Sequence, residues 1–260
     1  MADIASAEFL NQIKSIFPQS TSAKGSQAVL ANPWYFLAAV GFSCSNRPEA
    51  VPFVFLSALQ ELKIAQKAEN VDDATALSQQ LLLARRVRES ILKGGILGGA
   101  SRSINSLISL HEVMPVELRD KETLRSVTPV LSEEEDQSVT MEQYVQNGEK
   151  LFRSMYRETA DKVQGLLDEI YPDMGWFSKV IGYGMTYNET DVLSQVEVSY
   201  ILVAALIAMD TPRQIAWHLA NAQHGGASLD EAKAVRQISM KVAEVSGIKW
   251  RDAVPEVVSI

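Results

Sequence analysis

Cysteine is almost absent from this chain. Cys44 is the one thiol in 260 residues, so an intrachain disulfide, a Cys-rich zinc site and a CxxC redox pair are all excluded. A reducing compartment, the cytoplasm, is the expectation. Basic residues are also in short supply: 24 Lys and Arg against 32 Asp and Glu leave a net charge of -8, which repels nucleic acid and anionic membrane surfaces. The same field disfavours long-range steering of an acidic substrate, which would have to be caught by local cations and backbone donors. Long apolar runs are missing as well. The longest, Ile201–Met209, reaches about half of the ~20 residues a spanning helix needs. The first 17 residues, MADIASAEFLNQIKSIF, carry acidic groups and no apolar core behind a basic start. They predict a short amphipathic helix and not a signal peptide.

Alternating β-branched runs, the mark of strands, are nearly absent too, and helical periodicity fills the chain, so the fold class is all-α. Helices are predicted over Ala5–Ile16, Gln27–Phe42, Val51–Gln66, Val71–Lys93, Ser101–Val113, Thr140–Tyr171, Met174–Tyr183, Val192–Met209, Thr211–Gln223 and Ser228–Val245. Three starts read as capping boxes: Thr140 to Gln143, Thr211-Pro212-Arg213-Gln214 and Ser228-Leu229-Asp230-Glu231. The segment Leu131–Val139, with its acidic run Glu133 to Asp136 close behind Pro129, has the composition of a solvated linker. It divides the chain into residues 1–130 and 140–260.

An internal repeat supports that division. Gly98-Gly99-Ala100-Ser101 recurs as Gly225-Gly226-Ala227-Ser228, with Arg86 and Arg213 at the same offset. In each copy the glycines can end one helix in the left-handed region, and the serine can cap the next. Both halves are then copies of one helical unit.

The stretch Val203–Glu231 reads VAALIAMDTPRQIAWHLANAQHGGASLDE. An "AAL-x-AL"-like small-residue helix precedes "H-x-x-x-A-x-x-x-G-x-[ST]-x-x-E", which falls without gaps on His218, Ala222, Gly226, Ser228 and Glu231; Tyr183-Gly184 supplies an aromatic-glycine pair upstream. This pattern resembles the carboxymuconolactone decarboxylase family, part of the AhpD-like superfamily, over roughly 148–248. The resemblance implies an AhpD-like helical fold built as a tandem duplication. It also implies a cofactor-independent, metal-free lyase or isomerase acting on a small organic acid, lactone or polyketide-like compound. Three positions depart from the family. Its "R-S-x-x-T" segment falls on Val198, Ser199 and Leu202, so the guanidinium that would pair a substrate carboxylate is missing. His224 replaces an asparagine, and Ile91 stands where the first copy would repeat His218. The first half is then a degenerate scaffold copy. Against the superfamily's thiol peroxidase pattern, Thr211 and Gln214 occupy the cysteine positions, which excludes thiol-based peroxide reduction.

On the predicted helix, His218 lies at the edge of the stripe Ile215, Leu219, Ala222. With Glu197 or Glu231 to orient it, this imidazole is the expected proton-transfer group, and a buried histidine bonded to a backbone carbonyl is the structural alternative. Tyr183 or Tyr200 would supply a hydroxyl donor to an enolate oxygen. Ser199 and His224 complete the candidate substrate contacts. His224 lies six residues from His218, a spacing that points the two imidazoles apart and argues against a shared metal; a last-turn histidine also complements the helix dipole. His111 falls at a helix end in the first half. The rival class is a non-catalytic helical scaffold or interaction protein of the same fold. Under either reading the apolar stripes predict a homo-oligomer, with a trimer as one arrangement.

Overall fold

The computed structural model describes residues 4–19, 22–123, 125 and 141–260. Among these the regular elements are helices only, as the periodicity predicts. They are α1 (Ala7–Lys14), α2 (Gly25–Ala31), α3 (Trp34–Cys44), α4 (Val51–Glu69), α5 (Asp73–Gly98) and α6 (Ala100–Val113). Then come α7 (Met141–Tyr156), α8 (Ala160–Ile170), α9 (Pro172–Trp176) and a π-helix (Phe177–Tyr187), followed by α10 (Gln195–Ala208), α11 (Pro212–His224) and α12 (Leu229–Val245). No described helix is long and apolar enough to cross a membrane.

The expected linker Leu131–Val139 and the capping threonine Thr140 lie outside the described residues. The chain forms two compact units, and their limits differ from the sequence division. Met1–Arg119 joins Val196–Ile260 in the first unit, and Asp120–Gln195 makes the second. The reason is burial. All eleven residues of α3, and every residue of α10 from Val198 to Ala208, are buried. Helices apolar all round need cover on every side, and the first unit provides it by combining helices from both ends of the chain. A side chain at Gly41 of α3 would meet Val242 of α12 at 2.7 Å, and the Arg47 Nε donates to the Ser246 carbonyl at 3.1 Å.

Within this unit one punctuation occurs twice. Helix α3 ends at Asn46 (φ 57°) and α10 at Asp210 (φ 55°), each in the left-handed region and each followed by an X-Pro pair. Arg47 N–H bonds back to the Phe42 carbonyl at 2.8 Å, and Thr211 N–H to the Leu206 carbonyl at 3.3 Å, the six-residue closure that satisfies an orphan helix-end carbonyl. The next helices, α4 and α11, end at Asn70 (φ 53°) and Gly226 (φ 106°), and α5 and α12 start from capping side chains at Asp72 and Ser228. In this register α4 matches α11, so His218 falls within α4, on Val54 counted from the turn at Asn46 or Leu62 counted from the end at Asn70, and not on Ile91 of α5. The GGAS match is a weaker guide. Gly99 also has positive φ, 102°, but α6 begins at Ala100 without a side-chain cap, so Ser101 lies inside the helix.

Other local expectations shift for physical reasons. Gln27–Phe42 breaks at Asn32–Pro33, where proline holds Asn32 at ψ 118°. Helix α5 continues through Gly94 and Gly95, which bring its backbone close to Val40 and Ser103 instead of ending it. Thr211 does not cap α11: its hydroxyl donates backwards to the Leu206 carbonyl at 3.2 Å. Ser228 and Glu231 form the complete capping box.

In the second unit, α7 packs on the π-helix through Gly148 and Gly184, where any side chain would strike the opposing backbone. Thr186 donates its hydroxyl to the Ile181 carbonyl five residues back at 2.9 Å, the spacing of a π-turn. A break at Arg157 (φ 50°) divides the predicted helix Thr140–Tyr171 into α7 and α8.

Candidate functional site

Helix α11 carries His218 where the apolar stripe predicts it, beside buried Ile215, Leu219 and Ala222. The imidazole is 6% exposed. Its Nδ1 lies 3.4 Å from the Asn221 amide nitrogen one turn on. Burial penalises the imidazolium and lowers the pKa to about 4, so the ring is neutral at pH 7.

The two carboxylates expected to orient this histidine are committed elsewhere. Glu197, at the start of α10, forms an ion pair with Arg86 of α5. The same guanidinium donates to the Leu30 carbonyl at the end of α2 (2.6 Å) and lies over the Phe36 ring at 5.4 Å. It also reaches the Tyr35 phenol, whose own hydroxyl donates to Leu30 O at 3.2 Å. Burial raises the Tyr35 pKa, and the nearby cation offsets part of that rise. Sequence reasoning used Arg86 only as a repeat marker and missed this role. The signal was its spacing: Arg86, Glu89, Ser90 and Lys93 fall at helical intervals on one side of α5, and all four are buried. Lys93 is fully enclosed, with its ammonium 3.5 Å from Glu89. Charges at such spacing usually mark a solvated face, and here they run through the interior. A guanidinium does reach this part of α10 from α5, where Arg86 pairs with Glu197, the residue before Val198 in sequence.

Glu231 belongs to a different place. Its Oε2 accepts from the Ser228 backbone N–H (2.7 Å) and hydroxyl (2.9 Å), which fixes the carboxylate at the N-terminus of α12. It lines a cavity of about 860 Å³ whose apolar walls come from Phe17, Val29 and Trp34 and whose other charged groups are Lys14, Glu61 and Asp230. Lys14 and Glu61 pair across it at 3.1 Å. Tyr200 packs edge-on against Phe17, with ring centroids 6.1 Å apart. It is 4% exposed, and burial together with the Glu231 charge raises its pKa. Of the predicted residues only Glu231 lines this cavity; Tyr200 lies behind its Phe17 wall. His218 is not among the residues that line it.

Ser199 is fully buried within α10, and His224 is a half-buried residue closing α11. Tyr183 belongs to the second unit, where its hydroxyl donates to the Tyr156 oxygen at 3.2 Å inside a cluster with Phe152 and Tyr187. Burial pushes its pKa well up. No group of three or more potential metal ligands occurs among the described residues.

Over 292 aligned positions the chain is 26% identical to Peroxisomal protein 2 of Saccharomyces cerevisiae, covering 98% of this chain and 99% of that protein. It is 22% identical to Peroxisomal protein 2 of Schizosaccharomyces pombe, covering 84% of this chain and 88% of the relative. No family model and no solved structure matches the chain.

Proposed function

We propose that this chain is a cofactor-independent lyase or isomerase of the carboxymuconolactone decarboxylase type, built by duplication of a three-helix run, and that it works on a small enolisable carbonyl compound. The observation that carries this reading is the Glu231 carboxylate, fixed by Ser228, on the wall of the 860 Å³ cavity. A cavity of that size suits a small organic molecule. Glu231 has one oxygen held by Ser228, and the other takes the proton from the carbon next to the substrate carbonyl. The enolate oxygen that develops is stabilised by the Lys14 ammonium that lines the cavity, while Tyr200, kept protonated by burial and by the Glu231 charge, packs behind Phe17. The proton then returns from Glu231 to a different carbon, completing an isomerisation, or passes to a leaving group that the enolate expels with its bond pair from the β-carbon, completing an elimination. No electrons are exchanged with a cofactor.

In this reading His218 is a structural histidine, and the proton-transfer role given to it by the sequence pattern passes to Glu231. The names of the two relatives support a peroxisomal setting in place of the cytoplasm, and a single thiol suits either. The burial of His218 away from a carboxylate-lined cavity favours a second reading, a non-catalytic protein that retains the helical architecture. NMR-monitored turnover of a panel of lactones and β-keto compounds by the wild type and Glu231→Gln separates the two. The lyase reading expects turnover of at least one compound, reduced about a hundredfold in the folded variant. No turnover of any compound by the wild type supports the non-catalytic reading.

A further inference from the structure

We infer that α4 is the face through which two copies of this chain pair, antiparallel, about a two-fold axis at Gln60. This goes beyond the reading above, because it concerns assembly and not chemistry. Helix α4 buries Val54, Phe55, Ala58, Leu59 and Leu62 on one side, and its other side is open. Phe53 is 51% exposed, Leu56 41% and Ile64 62%, a run of large apolar side chains that marks an interaction surface. With Gln60 and Lys67 they form one helical stripe, whose successive steps are 3, 4, 4 and 3 residues.

The shape of the stripe says what covers it. Leu56, Leu59, Gln60, Lys63, Ile64 and Lys67, all from this one helix, line a groove of about 510 Å³. They make two overlapping sets at i, i+3, i+4 and i+7: Leu56-Leu59-Gln60-Lys63 and Gln60-Lys63-Ile64-Lys67. Four residues at that spacing form the hole that receives one knob of a packed helix. The steps read the same in both directions, so an antiparallel second copy supplies the knobs in register. Leu56 of one copy enters the second hole of the other, Gln60 enters the first, Phe53 meets Lys67, and each contact is made twice.

Charge selects the same arrangement. Glu49, exposed in the 3-10 turn Pro48–Ala50 one turn ahead of Phe53, stands at one end of the stripe, and Lys63 and Lys67 stand at the other. An antiparallel copy brings the lysine end of each chain to the glutamate end of its mate and the Lys67 ammonium to the Phe53 ring. A parallel copy would set like charges side by side. The net charge of -8 repels two copies over most of their surface, and a stripe with two lysines to one glutamate relieves that repulsion locally. One helix face falls short of the ~800 Å² per partner of a standard interface, so the dimer is a weak one that forms as concentration rises.

Sedimentation velocity of the full chain over roughly 1 to 300 µM, the range a small interface calls for, should show monomer passing into dimer. Leu56→Glu, at a position already exposed, should stay monomeric throughout. A wild type that stays monomeric hands the groove to a helix of another protein and overturns the inference, as does association that Leu56→Glu leaves unchanged. A short bismaleimide reads the orientation. Cys44 is buried and its thiol is pushed up to about 12, so it does not compete. Gln60→Cys should link to itself, whereas Phe53→Cys and Lys67→Cys should link when mixed and not alone. Self-linking of Phe53→Cys, or no linking of Gln60→Cys in a chain that dimerises, overturns the antiparallel pairing.

Discussion

The run α3–α4–α5 and the run α10–α11–α12 share left-handed helix endings and a side-chain cap on the third helix, yet they place polar groups in opposite ways. The first run buries charge: Arg86, Glu89 and Lys93 lie along the inner side of α5. The second buries neutral groups, Ser199, His218, Asn221 and Ser239, and keeps Glu231 at a cavity wall. Backbone punctuation therefore fixes the shape of a three-helix run, and what the run can do depends on which positions take ionisable side chains. An ion pair links the two runs, Arg86 with Glu197.

Breaking that link carries the largest expected effect. Arg86→Ala leaves Glu197 without its cation in a largely buried setting and should cost about 3–5 kcal/mol in urea denaturation. A double-mutant cycle with Glu197→Gln should show that much of this cost is the stranded carboxylate. If the single variant loses less than about 1 kcal/mol, the two runs do not depend on this pair.

His218 sharpens the comparison through pH. Its folded-state pKa lies near 4, below the ordinary 6.5, so the unfolded chain binds the extra proton first. The contribution is fully present above pH 6.5 and is lost as pH falls through about 4, at a total of about 3 kcal/mol. Unfolding free energies measured between pH 7 and 4 should show this loss in the wild type and a flatter profile in His218→Gln. Identical slopes in both proteins would mean that the imidazole is not the group titrating.

The smallest effect separates the two GGAS segments. Ser228 caps α12, and its replacement by alanine should cost about 1 kcal/mol. Ser101, inside α6 and exposed, should change stability by less than about 0.5 kcal/mol when replaced in the same way. Equal losses in thermal melts would restore the GGAS register that the helix caps argue against.

The helices were legible because their apolar periodicity is strong, and α10 stood out as the longest apolar run. The repeat was legible only in part. Identical letters in GGAS drew the alignment to α5, whereas the recurring feature is conformational, left-handed Asn46 and Asp210 before X-Pro, and those residues differ in type. One candidate residue, Glu231, does line a cavity, but the walls that complete it, Phe17, Val29 and Trp34, come from the first forty residues, and no local pattern announces such a meeting. Arg86 escaped notice because a charged residue on a long helix usually faces water. Tyr183 illustrates the opposite limit, since an aromatic-glycine pair that suggested a pocket instead fills an aromatic cluster in the second unit.

The central claim is that Glu231, and not His218, carries the chemistry. Single-turnover rates of Glu231→Gln and His218→Gln, each folded and assayed at pH 7 on whichever panel compound the wild type converts, test it most directly. The account predicts a loss of about a hundredfold or more for Glu231→Gln and a change of only a few-fold for His218→Gln. The reverse order, with His218→Gln inactive and Glu231→Gln nearly unaffected, would contradict it.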